Sequence, residues 1–137
     1  MTDNKSIRVS LPGGVLADAD FKGFHVRTDQ PVHDGGAGSA PSPFDFFLVS
    51  LATCAGYFVA AFCQERKIPT EGISVTMTWD RPPQARLIKA IRIEIALPAG
   101  FPEKYRTAVV KAADQCTVKA HLAAPPAIEV TARIAGA

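Results

Sequence analysis

The chain has 137 residues, of which 47% are hydrophobic and 20% are charged, and its formal net charge is +2. This composition is typical of one globular domain, which we place at residues 1–137. The small net charge gives no reason to expect nucleic acid or a membrane as a partner. Residues 1–10 lack the apolar region of a signal peptide, and three cysteines are an odd number for a secreted disulfide scaffold. We therefore expect a cytoplasmic protein, in which a paired thiol is catalytic or redox-sensing.

Three short strands are predicted in the N-terminal part of the chain. Residues 7–11 alternate apolar and polar side chains, and a Pro-Gly-Gly turn lets residues 15–19 pair back as a hairpin. Residues 24–27 form the third strand. The following loop, residues 29–41, is rich in glycine and is interpreted as a flexible entry to the next element. It lacks the Lys-Ser/Thr ending of a phosphate-binding loop.

The stretch from Ser42 to Lys67 predicts one long helix. Ser42 suits the N-cap, Pro43 suits the first helical position, and Asp45 completes a capping box. The residues that follow are apolar or small on every side as far as Cys63, which is typical of a helix that is buried in a core or inserted in a bilayer. Small polar interruptions favour the core helix over the membrane span.

The remaining chain predicts a hairpin, a second helix and a final strand. Residues 73–79 and 91–97 alternate apolar and polar side chains, which indicates two antiparallel strands with one buried face. The second helix carries its apolar residues on one face, which ends at Cys116, and residues 117–122 continue as a helical segment. Residues 128–134 alternate again and predict the last strand.

Spacing limits which of the three cysteines can pair. Cys54 and Cys63 are nine residues apart on one helix, a rise of roughly 13 Å, which is too far for a disulfide. Cys54 and Cys116 each lie on an apolar helical surface and are the one strong candidate pair; the alternative is that both are inert core residues. Cys54 is roughly 17 Å from the helix start, where the helix dipole has no effect. A reactive Cys54 therefore needs a cation from another segment.

Two motifs resemble the OsmC/Ohr family, the organic hydroperoxide reductases and their relatives. GGAGSAPSPFDFFLVSLATCAG resembles the family's Gly-rich, Pro-led helix, and QCTVKAHLAAPPAIEV resembles the short helix and final strand after its second cysteine. With FPEKYRTAVVKAADQC between them, the resemblance covers essentially the whole chain. It implies an α+β fold with two central helices packed against antiparallel sheets. It also implies an intertwined homodimer with each active site at the interface.

The resemblance implies a reaction as well. Cys54 matches the peroxidatic cysteine of the family, and Cys116 matches the resolving cysteine. Thiolate attack on a hydroperoxide releases the alcohol and leaves a sulfenic acid, which Cys116 converts to a disulfide that an external dithiol reduces. This chemistry needs no metal or organic cofactor, and the His and Cys residues lack zinc spacing. The expected protein is a thiol peroxidase that acts in oxidative stress.

The chain departs from the family peroxidases at the start of the long helix. There a Glu directly follows the helix-opening Pro and holds an activating Arg. Here that position is Phe44, and the acid follows at Asp45, about 100° further around the helix. Arg27 is the nearest candidate for the activating cation, with a surface strand arginine as the alternative. Asp45 either orients that arginine or is a plain helix cap.

Three further polar residues and one aromatic cluster are weaker candidates. Lys119 lies three residues after Cys116, where it either favours the Cys116 thiolate or stays solvated. His33 and His121 are able to shuttle protons, but surface or packing roles are preferred. The aromatic residues of the long helix are mostly core, and some of them are candidates to line an apolar pocket for a bulky organic peroxide; they are Phe44, Phe46, Phe47, Tyr57, Phe58 and Phe62.

A binding module is the rival interpretation. In this case the same fold holds a small apolar or acyl ligand, and the cysteines are unreactive. Phe44 in place of the acid favours this rival. A purely structural dimer is the third option.

Overall fold

The computed structural model of this protein describes residues 5–136, so the first residues of the stretch considered for a signal peptide lie outside it. The chain divides into two compact units, one ending at Val49 and the other starting at Ser50. A single domain over residues 1–137 stays a prediction. The fold contains helices and antiparallel strands, as expected of the α+β class. The strands are β1 (Arg8–Ser10), β2 (Ala17–Phe21), β3 (Phe24–Thr28), β4 (Ser74–Asp80) and β5 (Ala90–Ala96), and the helices are α1 (Pro43–Glu65), α2 (Arg106–Ala113) and α3 (Thr117–Ala123).

The first unit contains the three N-terminal strands as an antiparallel sheet in the order β1-β2-β3. The sequence prediction of three short strands is confirmed, although β2 begins two residues later than expected. The register pairs Asp18 with Arg27 and Asp20 with His25. Because residues two apart on a strand point to the same face, these four charged or titratable side chains share one face of the hairpin.

The Gly-rich loop is organised around Asp29, which is only 2% exposed. Its carboxylate accepts hydrogen bonds from the backbone N–H groups of Gln30, Ala37 and Ser39 and from the Ser39 hydroxyl. These donors, with the two from Ser39 foremost, lower the pKa of Asp29 to about 2. The interpretation of this loop as a flexible entry was wrong, because a buried carboxylate with four donors holds the loop in one conformation.

Gly36 is the tightest point of this loop. A Cβ atom at that position would lie 2.0 Å from the backbone oxygen of Gln30 and 2.7 Å from Oδ1 of Asp29. We expect Gly36→Ala to lower the free energy of unfolding by about 2 kcal/mol or more, because neither backbone nor buried carboxylate can yield without losing its contacts. Gly56→Ala is the matched control, since nothing lies within 4 Å of its added Cβ. Alanine should stabilise that helical position by roughly 0.5–1 kcal/mol. Urea unfolding of both variants checks the pair, and equal stabilities would contradict the account.

Helix α1 begins as the sequence predicts. The Ser42 hydroxyl accepts from the backbone N–H of Asp45 at 3.1 Å, and the Asp45 carboxylate accepts from the backbone N–H of Ser42 at 2.9 Å. This is the reciprocal capping box. At the other end, Lys67 has a positive φ of 56° and the N–H of Ile68 donates to the carbonyl of Cys63. That geometry closes the helix.

Among the described residues, α1 is also long and apolar enough to cross a membrane by length and composition, with a third of its most apolar window buried. The absence of a membrane partner therefore stays a prediction. In the second unit, α1 packs into the core together with α2. The buried cluster contains Ala55, Val59, Phe62 and Cys63 of α1 and Val109 and Ala113 of α2.

The second unit also holds the predicted hairpin of β4 and β5. Val75 pairs with Ile95, Met77 with Ile93 and Trp79 with Ile91, so the apolar side chains of both strands share one face. Ile73, Val75, Ile95 and Leu97 pack against the buried cluster. The predicted alternation is thereby confirmed.

The second helix differs from its prediction. The apolar face up to Cys116 exists, since Val109, Ala113 and Cys116 are buried, but α2 ends at Ala113. The N–H of Gln115 bonds to the carbonyl of Ala112, and Cys116 then takes an extended conformation with ψ of 122°. This break makes Cys116 the N-cap of α3 rather than a residue within a continuous helix.

The predicted last strand is absent from the described residues. Residues 124–134 carry no regular structure, and Ile128, Val130 and Ile134 are more than 80% exposed. Alternation of apolar and polar residues and the family resemblance both predicted this strand, but a strand needs a neighbour for its backbone groups. In the part of the chain described, the sheet of this unit contains only β4 and β5.

Candidate functional site

Cys54 and Cys116 lie together in the second unit. Cys54 is half-buried on α1, and Cys116 is 3% exposed at the N-cap of α3. The two side chains are close enough for each to shift the pKa of the other, and both are free thiols. Of the two alternatives left open by the sequence, contact between these cysteines is therefore the one observed. A thiol pair in contact can form a disulfide without a large rearrangement of the chain.

The surroundings of Cys54 favour its thiolate. The backbone N–H of Val118 lowers the pKa of Cys54 most strongly, while partial burial opposes it; the Cys116 thiol and the backbone N–H of Thr117 lower it further. Each of these three groups donates toward the sulfur, and donors stabilise the charged form of an acid. None of them is a cation. The N–H groups in the first turn of a helix have no acceptor within that helix, so those of α3 are available to donate to the Cys54 sulfur.

Cys116 has the opposite tendency. Burial raises the pKa of Cys116, and the neighbouring Cys54 raises it further, whereas the backbone N–H of Lys119 lowers it. That N–H donates to the Cys116 sulfur at 3.4 Å. Of the two thiols, Cys54 is therefore the one that ionises first, while Cys116 keeps its proton to higher pH.

The N–H of Val118 can be removed without changing the side chain. Replacing Val118 by its α-hydroxy acid converts the amide to an ester and deletes this one donor. We expect the pKa of Cys54 to rise, because the thiolate loses its strongest stabilising contact. The measurement is the pH dependence of Cys54 alkylation by iodoacetamide, which should move to higher pH. The same replacement at Ala120 is the control, since the N–H of Ala120 donates to the carbonyl of Cys116 and not to a sulfur.

Cys63 takes no part in this pair. It is fully buried in the core cluster, and burial raises its pKa. The sequence interpretation of Cys63 as an uninvolved residue agrees with this position.

Arg27, the predicted activating cation, belongs to the first unit and is bound by Asp18. Its Nε and one terminal nitrogen donate to the two oxygens of Asp18, both at 2.8 Å. Asp18 is 4% exposed, and Arg27 holds its pKa below the ordinary value. His25 lies beside Asp20 at 2.9 Å and Asp18 at 3.4 Å, and these carboxylates, Asp20 first, raise its pKa. An action of Arg27 on Cys54 stays a prediction.

The remaining candidates have other partners. Asp45 is in the capping box, which agrees with the plain helix cap. The side-chain ammonium of Lys119 forms an ion pair with Asp114. Its backbone N–H donates to the Cys116 sulfur. His33 lies near Asp34, and His121 contacts the carbonyl of Thr117. Within residues 5–136 no group of three or more His, Cys, Asp or Glu side chains is placed to hold a metal ion.

A cavity of about 370 Å³ adjoins Cys116. Its walls are mostly aliphatic and come from α1, β5, α2 and α3. Leu51 and Ala55 of α1 and Ile91, Ile93 and Ile95 of β5 supply much of this surface, and Lys111, Asp114 and Lys119 bring the charge. This size and lining are typical of sites for small apolar ligands. The sequence predicted an apolar pocket beside Cys54 with aromatic residues in its walls. This cavity is instead lined by aliphatic residues and Cys116, and none of the six aromatic residues lines it.

Sequence reasoning missed the groups that stabilise the Cys54 thiolate. It looked for a charged side chain, whereas the donors are backbone N–H groups at the start of α3. One signal was available: Cys116 directly precedes a helical segment, and a residue in that place is an N-cap. The first-turn N–H groups then cluster around the Cys116 sulfur and anything next to it.

Comparisons with known proteins identify the family. The family model described as "OsmC-like protein" matches residues 36–131, which is more than half of the chain. The chain belongs to this family. A search of curated proteins finds no match.

Solved structures of other proteins share the fold of this OsmC-like protein. A protein from Psychrobacter arcticus is 22% identical, with 86% of this chain and 88% of that chain covered and a TM-score of 0.71. An organic hydroperoxide resistance protein OsmC from Legionella pneumophila is 18% identical, with coverage of 85% and 88% and a TM-score of 0.54. An OsmC-like hydroperoxide resistance protein from Jannaschia is 20% identical, with coverage of 96% and 93% and a TM-score of 0.53. At these identities the likeness establishes the fold, and the family includes proteins of organic hydroperoxide resistance.

Proposed function

We propose that this OsmC-like protein is a thiol-dependent reductase of organic hydroperoxides, with Cys54 as the attacking cysteine and Cys116 as the resolving cysteine. One observation carries the proposal: Cys54 and Cys116 lie side by side, and the backbone N–H of Val118 and the Cys116 thiol lower the pKa of Cys54. The thiolate is the nucleophilic form of cysteine, and a low-pKa thiol beside a second thiol is the arrangement expected of a redox-active pair.

The first step is attack by the Cys54 thiolate on the terminal oxygen of the hydroperoxide. A sulfur–oxygen bond forms, the oxygen–oxygen bond breaks, and the alkoxide leaves and takes a proton from water to become the alcohol. Cys54 is oxidised to the sulfenic acid, and the hydroperoxide is reduced. The aliphatic cavity beside the pair supports an organic substrate over hydrogen peroxide, because apolar walls favour the organic group.

The second step joins the two cysteines. The Cys116 sulfur attacks the Cys54 sulfur, a disulfide forms, and the sulfenic hydroxyl leaves as water with the Cys116 proton. Once Cys54 is oxidised its negative charge is gone, which removes one cause of the raised Cys116 pKa. An external dithiol then reduces the disulfide in two exchange steps and becomes a disulfide itself.

The other expectations remain part of the proposal. A homodimer, an external dithiol as the reductant and a cytoplasmic location fit the reaction and the family resemblance. Sedimentation of the purified protein measures the dimer directly, and a monomer at micromolar concentration contradicts that part. The exposed side chains of Val49 and Tyr57 on α1 are apolar or aromatic surface that a second copy would cover.

The proposal is tested by the consumption of cumene hydroperoxide in the presence of dithiothreitol. The wild-type protein should turn over repeatedly, and one molar equivalent of the hydroperoxide without dithiothreitol should convert the reduced protein to a form with a Cys54–Cys116 disulfide, detected by peptide mass spectrometry. Absence of turnover would leave the rival, a binding protein with unreactive cysteines. The apolar cavity also favours that rival, so the thiol chemistry of Cys54 decides between the two.

A further inference from the structure

The cavity beside Cys116 has an apolar interior and a positively charged edge. Its edge carries Lys111, Asp114 and Lys119. Asp114 and Lys119 pair with each other, so their charges compensate. Lys111, in the last turn of α2, is exposed and has no ion pair among residues 5–136. One uncompensated positive charge therefore remains at the edge of an aliphatic cavity.

We infer that this cavity binds an amphiphile with a single carboxylate, whose hydrocarbon chain fills the aliphatic interior and whose head group pairs with Lys111. A volume of about 370 Å³ accommodates roughly a dozen groups the size of a water molecule, which suits a chain of medium length. Each methylene of the ligand that is buried against the aliphatic walls makes the free energy of binding more favourable. The lysine selects the sign of the head group, because a cationic head would meet a like charge and an uncharged head would gain no ion pair.

Cys116 lines the cavity proposed to hold the hydrocarbon chain, and it is also the cysteine next to Cys54. A ligand in the cavity therefore lies against the thiol that contacts Cys54. The inference rests on the proposed function for the identity of the reacting group, since a hydroperoxide on such a chain would meet the Cys54 thiolate. Binding itself requires no reaction, so it is measured separately from turnover.

The experiment is a ¹⁵N NMR titration of the reduced protein with octanoate, hexanoate and 1-octanol. Octanoate should bind about tenfold more tightly than hexanoate, because two further methylenes are buried. It should also bind about two- to fivefold more tightly than 1-octanol, and this advantage should shrink as salt is added. The shifted amides should include those of β5 and α2.

Lys111→Gln is the decisive variant. It should remove the preference for octanoate over 1-octanol, whereas Lys89→Gln should preserve it, since Lys89 is exposed and lies outside the cavity. Both variants lose one positive charge, so a difference between them cannot come from net charge. Equal affinity of the wild type for octanoate and 1-octanol, or equal effects of the two substitutions, would overturn the inference. Neither result depends on the cumene hydroperoxide assay, so failure of the binding site and failure of the reductase are distinguishable.

Discussion

Cys54→Ser should reduce the consumption of cumene hydroperoxide to the rate measured without protein. Cys54 is the sulfur whose pKa is lowered by the N–H groups of Val118 and Thr117 and by the Cys116 thiol, so the substitution removes the only thiol that its surroundings stabilise as a thiolate in the described chain. A serine hydroxyl in the same place stays protonated at neutral pH and does not attack peroxides. The expected loss is several orders of magnitude, the range that covalent enzymes lose with their nucleophile.

The matched control is Cys63→Ala. Cys63 lies on the same helix but is fully buried in the core, so the substitution removes one thiol and leaves the pair intact. This variant should keep most of the wild-type turnover and lose about 1 kcal/mol of stability because a small cavity forms. If Cys63→Ala and Cys54→Ser lose activity equally, the assignment of Cys54 is contradicted. Circular dichroism confirms that each variant is folded.

Cys116→Ser should separate the two chemical steps. The serine hydroxyl can still donate to the Cys54 thiolate, so the first equivalent of cumene hydroperoxide should be consumed at a rate within about tenfold of the wild type. The sulfenic acid then has no neighbouring thiol to condense with. An oriented neighbour is worth an effective concentration of roughly 10⁵ M or more, so millimolar external dithiol should resolve the intermediate several orders of magnitude more slowly.

Dimedone labelling measures this intermediate. Cys54 of the oxidised Cys116→Ser protein should be labelled nearly completely, whereas the wild-type protein should form the disulfide and take up little label. Comparable labelling of both proteins would show that Cys116 is not the resolving thiol. A disulfide between Cys54 and Cys63 in the variant would contradict the geometry of α1 as well.

Local signals predicted much of this fold. The start of α1 follows from Ser42, Pro43 and Asp45, because a capping box is encoded within four residues. Strands β4 and β5 follow from alternation, because each strand places its apolar residues on one face of a sheet. The prediction of the last strand was wrong although it also used alternation. Alternation shows that a segment can form a strand with one apolar face, but it does not show which neighbouring strand the segment would pair with.

The candidate site was predictable in part. Elimination of Cys63 and the apolar faces of two helices pointed to Cys54 and Cys116, which are in contact. The break after Ala113 was not predicted, because a buried stripe looks the same for one helix and for two helices with a turn between them. That break places the first-turn N–H groups of α3 beside the Cys54 sulfur. Every residue except proline has a backbone N–H, so residue types do not indicate which N–H groups stabilise a thiolate. A charged side chain was therefore expected in this role, and Arg27 was the nearest candidate.

The pKa of Cys54 is the most direct test of the account, since the proposed reaction begins with its thiolate. The measurement is the pH dependence of Cys54 alkylation in the reduced protein, followed by peptide mass spectrometry, so that all three cysteines are resolved in one experiment. Cys54 should titrate below the ordinary value of about 8.5, and Cys116 and Cys63 should react only at higher pH. A Cys54 that titrates at or above that value, or after Cys116, would contradict it.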